Sequence, residues 1–132
     1  MRCEVYVEVE VRPTEDPSKV RRALDNVYSG EVKLNLGEDG TGHISGRGGL
    51  ESLTKIKELL KREQIRSAAR AHLSSLIKED RLVFYLNKQV AYAGHISFCE
   101  PEGESPLGPI RFEVYTDDPK GVVKWLTETS KM

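Results

Sequence analysis

Several things are scarce in this sequence, and each scarcity closes off a class of function. There are only two cysteines, Cys3 and Cys99, and they do not stand in a metal-ligand spacing. A disulfide-stapled scaffold is therefore not indicated. Both thiols are expected reduced and buried, with a Cys3–Cys99 bridge as the alternative. The three histidines, His43, His72 and His95, are spread over different segments without zinc spacing, and are expected to be neutral surface or half-buried side chains. No long apolar run is present: the stretch from Gln89 to Cys99 falls far short of the ~20 residues a membrane-spanning helix needs. The N-terminus carries Glu4, Glu8 and Glu10 where a signal peptide would place an apolar segment, so a cytoplasmic protein is expected. Charge of one sign is also lacking, because the net charge is −1, and general polycation behaviour is not expected.

Catalytic patterns are missing as well. No nucleophile elbow, paired carboxylates or Cys/His arrangement occurs at a recognisable spacing, so no enzyme, cofactor or metal is expected. Glu4, Glu8 and Glu10 resemble a carboxylate cluster, but their alternation makes them one solvated strand face.

What is present is a patterned globular chain. The 132 residues, 38% apolar and 31% charged, are expected to form one domain over 1–132 and to bury roughly two-thirds of the unfolded surface. Val5, Val7, Val9 and Val11 alternate with polar residues, which is a half-buried strand. Asp16-Pro17 supplies a helix cap and a first-turn proline ahead of Val20, Ala23, Leu24 and Val27, with Gly30 as the expected stop. Val32, Leu34 and Leu36 predict a second strand. The turn cluster at 37–42 predicts a hairpin to a strand around His43–Gly46. Leu50 to Leu60 and Ile65 to Ile77 predict two helices with a bend near Arg62–Gln64. Leu82, Phe84 and Leu86 predict another strand, and Val90, Tyr92, Ile96 and Phe98 a further one. A surface loop at 100–109 precedes a last strand through Ile110, Phe112, Val114 and Thr116, and Asp118-Pro119 caps a final helix. The order β-α-β-β-α-α-β-β-β-α predicts an α+β two-layer sandwich, a mainly antiparallel sheet with helices on one face.

One region carries charge of its own: residues 55–81 hold a net +4. Arg66, Arg70, Ser74 and Lys78 recur every four residues and predict one helix stripe, which Lys61 and Arg62 extend. Spaced cations with a small hydroxyl between them suit a phosphate backbone, and an ordinary solvated helix face is the alternative. Gly46-Arg47-Gly48-Gly49, ahead of the helix near Leu50, is either an anion site or a plain strand-to-helix turn. The polar triplet Asn87-Lys88-Gln89 at the end of a strand predicts a binding corner. The exposed sheet face interleaves Tyr6, Tyr115, Lys33 and Arg111 with carboxylates, and so is a poor phosphate platform.

Five ordered segments carry a family resemblance: Ile65-Arg66-Ser67-Ala68-Ala69-Arg70, Phe84 through Ala91, Gly94-His95-Ile96-Ser97-Phe98, Pro106-Leu107-Gly108-Pro109-Ile110, and Trp125-Leu126. Together they resemble the small archaeal uncharacterised protein family 0201, described as predicted RNA-binding proteins. Ser67 stands where that family usually has aspartate, and Val90 where it usually has alanine. The resemblance implies an α+β fold similar to the large-subunit ribosomal protein that holds 5S RNA, often as a homodimer, and it brings no catalytic residues. Two functions are therefore expected to compete. The first is a module for structured RNA using Arg62, Arg66, Arg70 and Lys78, with Lys88 and Arg47 as outlying contacts. The second is a non-enzymatic protein-interaction or small-anion scaffold using the corner of Asn87, Lys88 and Gln89.

Overall fold

The computed structural model describes residues 2–101 and 108–128. Strand β1 (Cys3–Val11) leads to helix α1 (Pro17–Asp25) and the hairpin of β2 (Val32–Leu36) and β3 (Gly42–Gly48). A short 3-10 turn (Leu50–Leu53) opens α2 (Thr54–Arg62), followed by α3 (Arg66–Ser75), β4 (Ile77–Lys78) and β5 (Arg81–Asn87). Helix α4 (Lys88–Tyr92), β6 (Phe98–Cys99), β7 (Pro109–Thr116) and α5 (Pro119–Thr127) complete the order. The strands form one antiparallel sheet ordered β2-β3-β1-β7-β5-β4, with β6 on the same edge of β5 as β4.

The register is the expected one. Val5, Val7 and Val9 lie opposite Val114, Phe112 and Ile110, and all six are buried on the helix-facing side. Phe84 stacks on Phe112 with ring centroids 5.0 Å apart. Each such side chain contributes about 1.5–3 kcal/mol through removal from water. Glu8 lies on the opposite, solvent-exposed face. Both cap-plus-proline signals hold: Asp16 accepts from Ser18 N at 2.9 Å and Asp118 from Gly121 N at 3.0 Å. The helices bury Val20, Ala23 and Leu24 from α1, Ile56, Leu59 and Leu60 from α2, Ala69 and Leu73 from α3, and Val122, Val123 and Leu126 from α5 against the sheet.

Four expectations are corrected. Helix α1 ends at Asp25 instead of reaching Gly30, with Asn26 at its C-cap, where the side chain donates to Ala91 O at 2.9 Å. The strand expected from Val90 to Phe98 is mostly helix α4: Asn87 Oδ1 accepts from Val90 N at 2.9 Å, and this cap overrides the period-two pattern. Only Phe98–Cys99 pairs as a strand. The second long helix stops at Ser75, and Ile77–Lys78 turns back as a hairpin onto Arg81 and Leu82 through Glu79-Asp80, with Glu79 at φ 53°. Cys3 and Cys99 are unbridged thiols, as expected, but only partly buried. Of the expected loop at 100–109, residues 102–107, with Pro106 and Leu107 of the family motif, lie outside the described residues.

Candidate nucleic-acid interface

Helix α3 is short and alanine-rich, and its register is set by the turn before it. Gln64 takes φ 57°, Gln64 N donates to Lys61 O and Ile65 N donates to Leu60 O, both at 3.2 Å. That pair of bonds closes the C-terminus of α2 in a left-handed cap of the kind glycine usually provides. From there Ala69 and Leu73 face the core, which turns Arg66, Arg70 and Ser74 outward on one row.

The arginines meet the end of α5. Arg70 Nε donates to Thr127 Oγ1 at 2.9 Å and Arg70 Nη2 to Thr127 O at 3.4 Å, while Arg66 Nη1 donates to Glu128 O at 3.4 Å. From α2, Lys57 donates to Trp125 O and sits 4.9 Å from the indole centroid. Three cations thus satisfy carbonyls that the last turn of a helix leaves without partners, and offset the negative end of its dipole. Arg66 and Arg70 are therefore partly structural, although Arg70 stays exposed.

Two open clefts flank this contact. One, of about 1020 Å³, is lined by Lys61, Gln64, Arg66, Ser67, Arg70 and Ser74 among others. The second, of about 460 Å³, is lined by Arg70, Ser74, Ile77, Lys120, Val123 and Lys124. They share Arg70 and Ser74, and among the described residues no acidic side chain lines either one. Lys120 and Lys124 are absent from the sequence-based site. They sit far along the chain from α3, and only the docking of α5 brings them beside it.

The remaining candidates lie elsewhere. Lys78 is on β4, not on the helix, and strand alternation directs it away from the helix-facing side occupied by Ile77. Arg62 reaches toward the loop after α4, donating to Gly94 O at 2.7 Å. Nearby, His95 Nδ1 meets Glu63 Oε2 at 2.7 Å. Arg47 lies on the open sheet face, 3.3 Å from Glu4 and 5.5 Å from the Tyr6 ring centroid. That face is a mosaic of cations and carboxylates. Its Glu113 is held by Arg111, Arg81 and Tyr115.

The glycine segment around Arg47 is a turn and not an open anion site. Gly49 N donates to Glu51 Oε2 at 3.1 Å, so a carboxylate of the chain already occupies that amide. Gly46 is required by packing, since a Cβ there would lie 3.0 Å from the Tyr28 ring and hydroxyl.

The Asn87-Lys88-Gln89 corner is corrected most. Lys88 is buried, with 4% of its side chain exposed against 9% for Glu15, and its ammonium donates to both Glu15 oxygens at 3.1 Å and to Glu10 O at 2.8 Å. Burial pulls its pKa below the ordinary lysine value, against the opposing pull of Glu15. Asn87 is spent as a helix cap. Gln89 alone stays exposed, on a groove of about 330 Å³ that also includes Lys19, Val20 and Tyr92. Among the described residues, no group of histidine, cysteine and acidic side chains could hold a metal, and no helix is long and apolar enough to cross a membrane.

Comparison with known proteins adds an independent line. A family model described as RNA binding matches residues 4–116. The chain is 40% identical over 130 residues to a UPF0201 protein of Metallosphaera sedula, covering 92% of this chain and 85% of that one. It is 41% identical over 128 residues to the UPF0201 protein PAE1632 of Pyrobaculum aerophilum, covering 96% and 88%. Among solved structures, a UPF0201 protein from Methanococcus jannaschii superposes with a TM-score of 0.83 at 30% identity, covering 97% of this chain and 95% of that one. Mth689 from Methanothermobacter thermautotrophicus, a DUF54 protein, shares the fold at TM-score 0.65 and 22% identity, covering 97% and 100%.

Proposed function

This chain belongs to the archaeal UPF0201 family, whose matching family model is described as RNA binding, and on that premise we propose that it is a cytoplasmic, non-enzymatic, single-domain module that binds structured RNA along α3. The observation that carries the proposal is the pair of clefts meeting at Arg70 and Ser74, which among the described residues no acidic side chain lines, in a chain of net charge −1. Cations without interleaved carboxylates displace counterions from phosphates, and small hydroxyls fix register without reading bases. Lys88 and Arg47 take no part in this version of the site, because each is paired with a carboxylate away from α3. A titration of a labelled hairpin RNA against salt tests the proposal. Affinity is expected to fall steeply with salt, and Ser74→Glu, which plants a carboxylate where the clefts join, is expected to abolish binding while the protein stays folded. Binding indifferent to salt or to Ser74→Glu would rule it out.

A second function, the small-ligand scaffold at the α1–α4 groove, is favoured by that groove's size and by its Tyr92 wall. It would have to work through Gln89 and Lys19, since Lys88 is already engaged.

We also propose that two copies join through β2. This is an edge strand whose Leu34 and Leu36 are 47% and 55% exposed although they point toward the helix-facing side. Antiparallel self-pairing centred on Leu34 sets Val32 against Leu36 and Lys33 against Asn35, with no like charges opposed. Sedimentation of the wild type and of Leu34→Lys distinguishes a dimer from a monomer.

A further inference from the structure

The cations around the two clefts are of two kinds. Arg66 and Arg70 are tied to the carbonyl end of α5, where the helix dipole places about half a negative charge against them. Lys61, Lys120 and Lys124 are exposed, and their ammonium groups make no hydrogen bond or ion pair among the described residues.

Lys120 stands out further. It occupies the first turn of α5, which contains no acidic residue. The capping Asp118 carboxylate, engaged by Gly121 N at 3.0 Å, offsets the positive end of the helix there, and the Lys120 ammonium itself pairs with no carboxylate among the described residues. Lys124, one turn later, shares its cleft with Lys120, Arg70 and Ser74. The negative end of α5 subtracts from Arg66 and Arg70, whereas Lys120 and Lys124 carry charge that no described side chain pairs with.

We infer that the phosphate contacts of the RNA site are made chiefly by Lys120 and Lys124 of α5, with Lys61 at the far end, and that the α3 arginines mainly position α5. This inference rests on the RNA proposal above. It shifts the binding surface from one helix stripe to the seam between two helices, and the ligand chemistry is the sugar–phosphate backbone, without base readout.

The test compares four proteins with a fluorescein-labelled synthetic hairpin RNA over a series of KCl concentrations, with thermal unfolding of each. They are the wild type, Lys120→Gln/Lys124→Gln, Arg66→Gln/Arg70→Gln, and Arg21→Gln/Arg47→Gln as a control that removes the same charge from other surfaces. The α5 lysine pair is expected to lower the slope of log affinity against log salt by about two, with an unfolding temperature unchanged or raised. The arginine pair is expected to lower the unfolding temperature and to change the slope by less than one, and the control to leave the slope unchanged. An α5 variant with the wild-type slope, or a control that lowers the slope as much, overturns the inference while leaving RNA binding itself intact. Wild-type protein that fails to bind at low salt overturns the RNA proposal, and this assignment with it.

Discussion

Arg70 Nε donates to the Thr127 hydroxyl across 2.9 Å, and that hydroxyl donates onward to Val123 O at 2.8 Å. A surface arginine on α3 is thereby wired to the buried side of α5. Thr127→Val keeps the shape and removes both bonds, so a loss of about 1 kcal/mol in urea unfolding is expected. The salt dependence of RNA binding should survive this change. A Thr127→Val protein as stable as wild type would mean that the bond is not formed in solution.

The buried Lys88–Glu15 pair is expected to behave asymmetrically. Lys88→Met leaves the Glu15 carboxylate with no counter-charge in a water-poor site, at a cost of about 3–5 kcal/mol. Adding Glu15→Leu should recover much of that loss, less the bond that Glu15 Oε1 accepts from Arg12 N at 2.9 Å. Chemical denaturation of the two single variants and the double variant closes the cycle, and additive losses would contradict a direct pairing.

Gln64 sits at φ 57°, a conformation that costs an L-residue with a side chain about 1 kcal/mol or more and glycine almost nothing. Gln64→Gly should therefore raise the stability by about 0.5–1 kcal/mol, which is the reverse of the usual effect of glycine near a helix. Thermal unfolding would show an increase; a decrease would mean that the Gln64 side chain makes a contribution its backbone strain conceals.

Glu113 carries the acid sensitivity of the open sheet face. Burial pushes its carboxyl pKa up, but hydrogen bonds from Tyr115, Arg81 and Arg111 outweigh that and hold it below the ordinary 4.5. A carboxyl with a depressed folded-state pKa stabilises the protein fully above the unfolded value, and this is lost as pH falls through the folded value. The stability difference between wild type and Glu113→Gln should thus be constant at neutral pH and shrink in unfolding experiments below about pH 4.5. A gap that widens on acidification would reverse the sign.

Sheet register and helix caps were legible because their causes are local. Alternation along Val5–Val11 and Ile110–Thr116 assigns each side chain to a face, and Asp16-Pro17 and Asp118-Pro119 mark their helix starts within three residues. The site was legible only in part, because its causes are tertiary. The periodicity that identified Arg66, Arg70 and Ser74 says nothing of Thr127, whose bond to Arg70 spans 57 positions, nor of Lys120 and Lys124 beyond it. Lys88 was misplaced for the same reason: its partner Glu15 lies 73 positions away, and an ammonium written between two amides reads as solvent-facing until that partner is known. The Glu79-Asp80 hairpin lacks the glycine or asparagine that normally announces a two-residue turn, so α3 looked longer than it is.

The self-contained pairing of Glu113 with Arg81, Arg111 and Tyr115, and of Glu4 with Arg47, has a consequence for stoichiometry. Cations already matched on the open side of the sheet have little left to offer a second polyanion. On the proposed RNA-binding reading, each copy then engages a nucleic acid strand from its helical side alone, and titrations should saturate at a fixed ratio without turbidity, where a chain cationic on both sides would cross-link its ligand into networks.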